Sequence, residues 1–293
     1  MKSVLIISII LVSFAYSQCD ANGDGDLDVL DVVIEVECIL TDCWETDTTA
    51  TPFEMVTVLA GDYTWGSEDE IRTISYDYEI MKYEVTNTQY VSYLEEALLS
   101  GDITVSSSTA QGYYAGDENY SAGEYEYLDL DDTDCRIIWD GASFSVIEGY
   151  GNHPVVEVTW FGAHAFAEYY GLRLPSEYEW EKAARGMTGA DYPWGEDYGD
   201  DISDNANYGN SGDPYEVGDW AEYPQTTPIG YFNGENGTTD SPSPYGAYDM
   251  AGNVWNWTHS WWSETSSSRV FRGGSWYGNT DILQSWNRRS GSP

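Results

Sequence analysis

"HPVVEVTWFGAHAFAEYYGLRLPSEYEWEKAARG", residues 153–186, decides the fold, because two helices and their start signals follow one another there. "VTWFGAHAFAEYYG" reads as one helix and "LPSEYEWEKAARG" as the next. Pro175 stands just ahead of Ser176, and Glu179 falls three residues after that serine. This is a capping box, in which the serine oxygen and the glutamate carboxylate satisfy backbone N–H groups that the first turn leaves free. Upstream, "YEVTNTQYVSYLEEALLSG" predicts a strand running into an amphipathic helix from about Thr86, ended by Gly101. "FEMVTVLAGDYTWGS" predicts a strand, a Gly-Asp turn and a second strand, and "RIIWDGASFSVI" a short hairpin within an otherwise loop-rich 104–150. Residues 187–245 are mostly Gly, Asn, Asp and Pro. A loop of that length in a compact domain has to be held from within, and metal ions are the natural candidate.

Composition narrows the function. The chain carries 51 acidic against 11 basic residues, a formal charge of −40. Such a surface repels nucleic acid and anionic lipid, whose phosphates need clustered Lys and Arg. Divalent cations, above all calcium, are its simplest neutralisers. Lys2 followed by "VLIISIILVSFA" and the small-x-small step Ala15-Tyr16-Ser17 reads as a signal peptide over residues 1–17, cleaved after Ser17. The apolar run is short for a bilayer span, so membrane insertion after cleavage is not expected, and the chain is placed outside the cell or at its surface. Cys19, Cys38, Cys43 and Cys135 suit an oxidising compartment and allow three pairings, among which the sequence does not choose.

Residues 18–47 form a separate small module. "DANGDGDLDVLD" puts Asp20, Asn22, Asp24 and Asp26 at positions 1, 3, 5 and 7 of a twelve-residue calcium loop, with Gly25 at the turn and Asp31 closing it. "VLDVVIEVECIL" behind it has helical spacing and would be the exiting helix. The loop and helix resemble one half of a dockerin. A Thr-rich linker, 48–52, leads to a large domain over 53–293.

That large domain carries four motifs in order: "YEVTNTQY" (83–90), the 153–186 stretch, "YGAYDMAGNVWNW" (245–257) and "VFRGGSW" (270–276). Together they resemble the formylglycine-generating enzyme (sulfatase-modifying factor) family. The resemblance implies an α+β fold, a variant of the C-type lectin fold, with little regular secondary structure, long ordered loops and calcium sites. It also implies a final strand beyond Pro293, so that either the sequence is cut short there or a partner is expected to supply the closing strand. One calcium site would fall on Asp249, the carbonyls of Gly252 and Val254, and Asn256. A second would use Asn207, the carbonyl of Tyr208, Asp219 and the carbonyl of Tyr223.

The same resemblance argues against the family's oxidase chemistry. Its copper is held by two cysteines at the third and eighth positions after the GGS serine, because Cu(I) prefers thiolate. Here those positions are Gly278 and Leu283, and "SWYGNTDILQSW" contains no sulfur. An iron branch of the family uses three histidines, whereas His153, His164 and His259 are scattered without ligand spacing. The C-terminal arginines Arg272, Arg288 and Arg289 are read as staples that pair with carboxylates and stack on rings. The expectation is a secreted, calcium-binding, non-catalytic module that self-associates or binds another extracellular protein. The alternatives are a lectin-like carbohydrate or peptide binder, and an enzyme with copper-independent chemistry. "NYS" (119–121), "NGT" (236–238) and "NWT" (256–258) offer glycan acceptors.

Overall fold

The structure, a computed structural model, describes residues 52–195, 202–216 and 225–293. The chain divides into two units, residues 1–52 and 53–293, and among the described residues every helix and strand lies in the second. The signal peptide, the 20–31 calcium loop, the cysteines Cys19, Cys38 and Cys43, and nearly all of the linker lie outside the described residues.

Helix α1, Asn87–Ser100, starts on Thr86, whose hydroxyl accepts the N–H of Gln89 while the Gln89 side chain accepts the N–H of Thr86. It stops at Gly101, whose left-handed φ of 83° a glycine adopts without a Cβ penalty. Helix α2, Trp160–Tyr169, is capped by Thr159, and α3, Glu177–Arg185, by the Ser176/Glu179 box. All three starts are where side-chain chemistry placed them.

The strands are short and gathered into small antiparallel sheets. β1 (Met55–Val58) pairs with β4 (Tyr78–Met81), and β2 (Gly61–Trp65) with β3 (Glu70–Ile74). β5 (Ile103–Val105), β6 (Thr109–Tyr114) and β7 (Gly123–Asp129) make one three-stranded sheet. β8 (Ile137–Trp139) and β9 (Phe144–Val146) form the expected hairpin. β10 (Asn256–Trp261), β11 (Arg269–Arg272) and β12 (Arg288–Gly291) make the last sheet. The strand-turn-strand reading of 53–67 holds for its two strands, but Gly61 and Asp62 open β2 and the chain turns at Leu59 and Ala60 instead. β1 and β2 part into different sheets, and at the corner between them the buried ammonium of Lys182 donates to the carbonyls of Leu59 at 2.6 Å and Gly61 at 3.0 Å.

The main core packs α1 and α2 against β5–β7 around Leu94, Leu128 and Trp160, each fully buried. A second cluster sets Trp180, Ala183 and Ala184 of α3 against Val58, Ala247 and Met250. A third joins Tyr192, Ile202, Ala206, Ala251 and Leu283. Within 187–245 the described residues form no helix or strand. Buried side chains fasten them: Asn205 donates to Ser241 Oγ at 3.0 Å, and Asn207 to the Gln225 carbonyl at 2.9 Å. These bonds do for the loop what a backbone ladder does for a sheet. Among the described residues no helix is long and apolar enough to cross a membrane.

Candidate functional site

The positions where the resemblance puts copper thiolates are packed. Leu283 closes a 3-10 turn, Thr280–Leu283, and is fully buried in the third core cluster. The Gly278 carbonyl accepts the N–H of Gly209 at 2.8 Å, and its own N–H donates to the Ser275 carbonyl at 2.9 Å. A Cβ at 278 would meet the Ile282 side chain at Cδ1 and Cγ1, so a larger residue there requires Ile282 to turn aside. Ser275 is buried beside it. Cys135, the one cysteine among the described residues, is buried in the main core, where burial pushes its thiol up to about 11. A thiol so protonated is a poor nucleophile and a poor metal ligand. The histidines do not converge either. His164 stacks on Trp160 and His259 flanks the same ring, while buried His153 lies 2.9 Å from Thr226 Oγ1 and packs on Tyr150 and Tyr215.

The C-terminal arginines close the fold around α3. Arg272, fully buried, bonds to Glu181 and to the Ser285 carbonyl at 2.8 Å, and lies 3.8 Å from Glu177. Its guanidinium sits 5.2 Å from the centre of the Trp180 ring. Glu181 also faces Arg185 at 3.4 Å, and Arg185 reaches Asp69 at 2.8 Å. Arg288 pairs with Glu177 at 2.7 Å and stacks over Trp262 at 4.3 Å. Arg289 is exposed. Glu177, Glu181 and Arg185 recur at helical spacing on one face of α3, a signal available in "EYEWEKAAR".

Beside the same helix, Arg173 holds Glu179 in two bonds, 2.8 and 2.6 Å. Burial works to raise the Glu179 carboxyl, but Arg173 and Ser176 outweigh it and bring it down to about 2. A carboxylate depressed in the folded state contributes stability above its unfolded value and loses it as pH falls through the folded one. Between pH 4.5 and 2 Glu179→Gln is therefore expected to flatten the acid loss of stability; urea midpoints across that range would check it, and an unchanged slope would contradict it.

Several predicted calcium residues are brought together. Asp249, at a left-handed φ of 55°, accepts the N–H of Gly230 at 2.6 Å. Gly252 has φ 84°, and any Cβ there would strike the Asn207 carbonyl, so the 249–256 loop and the 207 loop touch at this glycine. Asn253 joins them: its N–H donates to the Asn207 carbonyl at 2.9 Å and its Oδ1 accepts from Asn207 and from the Thr227 N–H. Asn207 Oδ1 is buried with no hydrogen-bond partner among the described residues. The Tyr208 carbonyl closes a turn with the N–H of Ser211. Asp219 and Tyr223 lie outside the described residues.

Glu84, from "YEVTN", is the member that the sequence reading missed. It accepts from Asn253 Nδ2 at 2.8 Å, Val254 N at 3.3 Å and Asn256 Nδ2 at 3.3 Å. Burial, and then the charge of Asp249, push its carboxyl up. Burial likewise raises Asp249 to about 6. Two inward-facing carboxylates thus share this region with the Val254 carbonyl. Asn256 is held inside by Trp180 Nε1 on its Oδ1 at 3.0 Å and by Glu84 and Val254 on its Nδ2, which leaves its amide engaged and unsuited to accept a glycan.

Residues 41–293 match the sulfatase-modifying factor enzyme 1-like domain. A serine/threonine-protein kinase pkn1 of Chlamydia pneumoniae is 31% identical over 82% of this chain, which spans only 36% of that protein. The formylglycine-generating enzyme of Thermomonospora curvata is 30% identical over 75% of this chain and 82% of its own. The inactive C-alpha-formylglycine-generating enzyme 2 of Bos taurus is 39% identical over 44% of this chain and 40% of its own. Among solved structures, PvdO from Pseudomonas aeruginosa superposes with a TM-score of 0.55 at 22% identity, covering 82% of this chain and 89% of that one, a likeness of fold.

Proposed function

The chain belongs to the sulfatase-modifying factor family, and from that premise we propose that it is a secreted, calcium-binding, non-catalytic member that acts outside the cell by assembly or by binding a partner. The observation that carries this reading is the filled thiolate site. Leu283 is core, and Ile282 occupies the space that a residue larger than glycine at 278 would need. Copper oxidation of a substrate cysteine requires thiolate ligands, and neither position supplies one. The family contains catalytic and inactive relatives, so loss of the chemistry with retention of the scaffold has precedent within it.

Calcium is supported by the charge of −40, by the unpartnered oxygen of Asn207 and by the inward-facing carboxylates of Asp249 and Glu84. Hard oxygen donors of this kind are what calcium takes, six to eight at a time. Asp249 with the carbonyls of Gly252 and Val254 would hold one such ion, and Asn207 with the carbonyl of Tyr208 a second, in a structural role.

A Cu(I) titration in competition with a chromophoric chelator tests the central claim. No stoichiometric tight site is expected, and no formylglycine should form in a cysteine-containing sulfatase peptide. A one-to-one Cu(I) complex, or product, would overturn the non-catalytic reading.

A further inference from the structure

We propose that the cleft between β4 and the start of β10 receives an extended, apolar segment of a partner protein as an added strand, bonded through its main chain to their free edges. The proposal rests on the reading above that the chain is a non-catalytic binding module, and gives that module a site and a class of partner. β4 is paired on one side, with β1, and β10 stands at the edge of the β10–β11–β12 sheet. The N–H of Lys82 donates to the Glu54 carbonyl at 2.8 Å, so the next pair, Met55 and Met81, is one without bonds of its own. Bonded and non-bonded pairs alternate in an antiparallel ladder. Tyr78 and Ile80 therefore bond to β1, while Glu79 and Met81 turn their N–H and C=O groups away from it. On β10 the His259 N–H leaves the sheet for the Pro175 carbonyl at 2.8 Å, and Trp257, two residues earlier, shares that edge. No backbone bond from another segment of the described residues reaches Glu79, Met81 or Trp257.

Both edges border one cleft, of about 640 Å³. All four residues of β4 line it, and so do the consecutive residues 254–257 that lead into β10. A strand sends successive side chains to opposite faces, so a cavity that meets every residue in turn runs along the strand's edge. The free groups select the occupant. Main-chain N–H and C=O groups require hydrogen-bond partners, and an extended peptide supplies them at the matching repeat. A lipid or another apolar small molecule would cover Met55, Val158, Phe166, Leu172 and Leu174 on the walls but leave the edges unpaired. Those walls call for apolar side chains on the incoming strand, because a charged one would lose its water among them.

The test uses the full chain and the peptide Ac-TVTITVT-NH2. Two control copies are N-methylated, one on the valines and isoleucine and the other on the threonines, which keeps the side chains and removes the N–H donors of one edge at a time. Calorimetry should show one peptide per chain, and at least one methylated copy should bind at least tenfold more weakly. Amide exchange at Glu79 and Met81 should slow at least tenfold in the complex, which separates strand pairing from contact through side chains alone. Glu79→Pro removes an outward N–H and keeps the bonds to β1, so it should weaken the peptide at least tenfold, whereas Glu79→Ala should not. Should Glu79→Pro fail to fold, Ala163→Leu, which narrows the cleft away from the edge, must weaken the peptide to the same degree. Absence of saturable binding, equal binding of the three peptides, or unchanged exchange at both amides would overturn the proposal. So would a peptide-free dimer that the peptide dissolves, since the strand would then come from a second copy. A Cu(I) site in the titration above would defeat the non-catalytic reading and leave a strand site found in this way standing.

Discussion

Arg272→Ala is expected to destabilise the domain by about 3–5 kcal/mol, the usual cost of stranding one side of a buried ion pair. Arg272 and Glu181 are both wholly inaccessible to solvent, so water cannot replace the lost partner. Glu181 would keep Arg185, but at 3.4 Å and shared with the N–H of Gly66. The Ser285 carbonyl would lose its donor as well, and with it the tie between β11 and the segment leading to β12. Urea unfolding of the variant measures the effect, and a loss below about 1 kcal/mol would refute the staple reading. Glu181→Leu should cost a similar amount. The pair Arg272→Met/Glu181→Leu should cost clearly less than the sum, since it removes both charges and leaves apolar volume in their place.

Chelation of calcium is expected to lower the melting temperature by about 5–10 °C. An ion held at a hundred times its dissociation constant adds about 2.7 kcal/mol to the folded state, and each kcal/mol is worth roughly 2–4 °C in a domain of this size. Asp249→Asn should shrink the shift, because it removes a charged oxygen from the loop that meets Asn207 at Gly252. Asp20→Asn with Asp24→Asn, in the N-terminal loop, should leave the large domain's transition where it is. Scanning calorimetry with and without chelator distinguishes these cases. A melting temperature indifferent to chelator in the unaltered protein would remove calcium from the account.

Much of the fold was legible because its signals are local. Thr86, Ser176 and Gly101 announce helix ends through bonds to backbone groups within four residues, and those bonds form whatever the rest of the chain does. The β8–β9 hairpin is local in the same way. The pairing of β1 was not legible, because its partner β4 lies beyond β2 and β3 and the corner after β1 is held by Lys182, more than a hundred residues away. The loss of thiolate chemistry could be read at Gly278 and Leu283. That Ile282 fills the space beside Gly278 could not, since it follows from the course of a 3-10 turn.

The site divides along the same line. By itself the sequence determined the family, the helix starts, the absence of sulfur after "GGS" and the surplus of acid over base, because each depends on residue type at a fixed spacing. Only the tertiary structure decided which acids meet which partners. In a chain with 51 carboxylates, proximity in sequence singles out none of them. Burial does. It leaves Glu177 and Glu181 to the arginines of the last sheet, gives Glu179 to Arg173, and turns Glu84 inward to neutral donors. Each of those assignments joins residues more than ninety positions apart or depends on which face of α3 the core covers, and desolvation of a charge is a property of that packing alone.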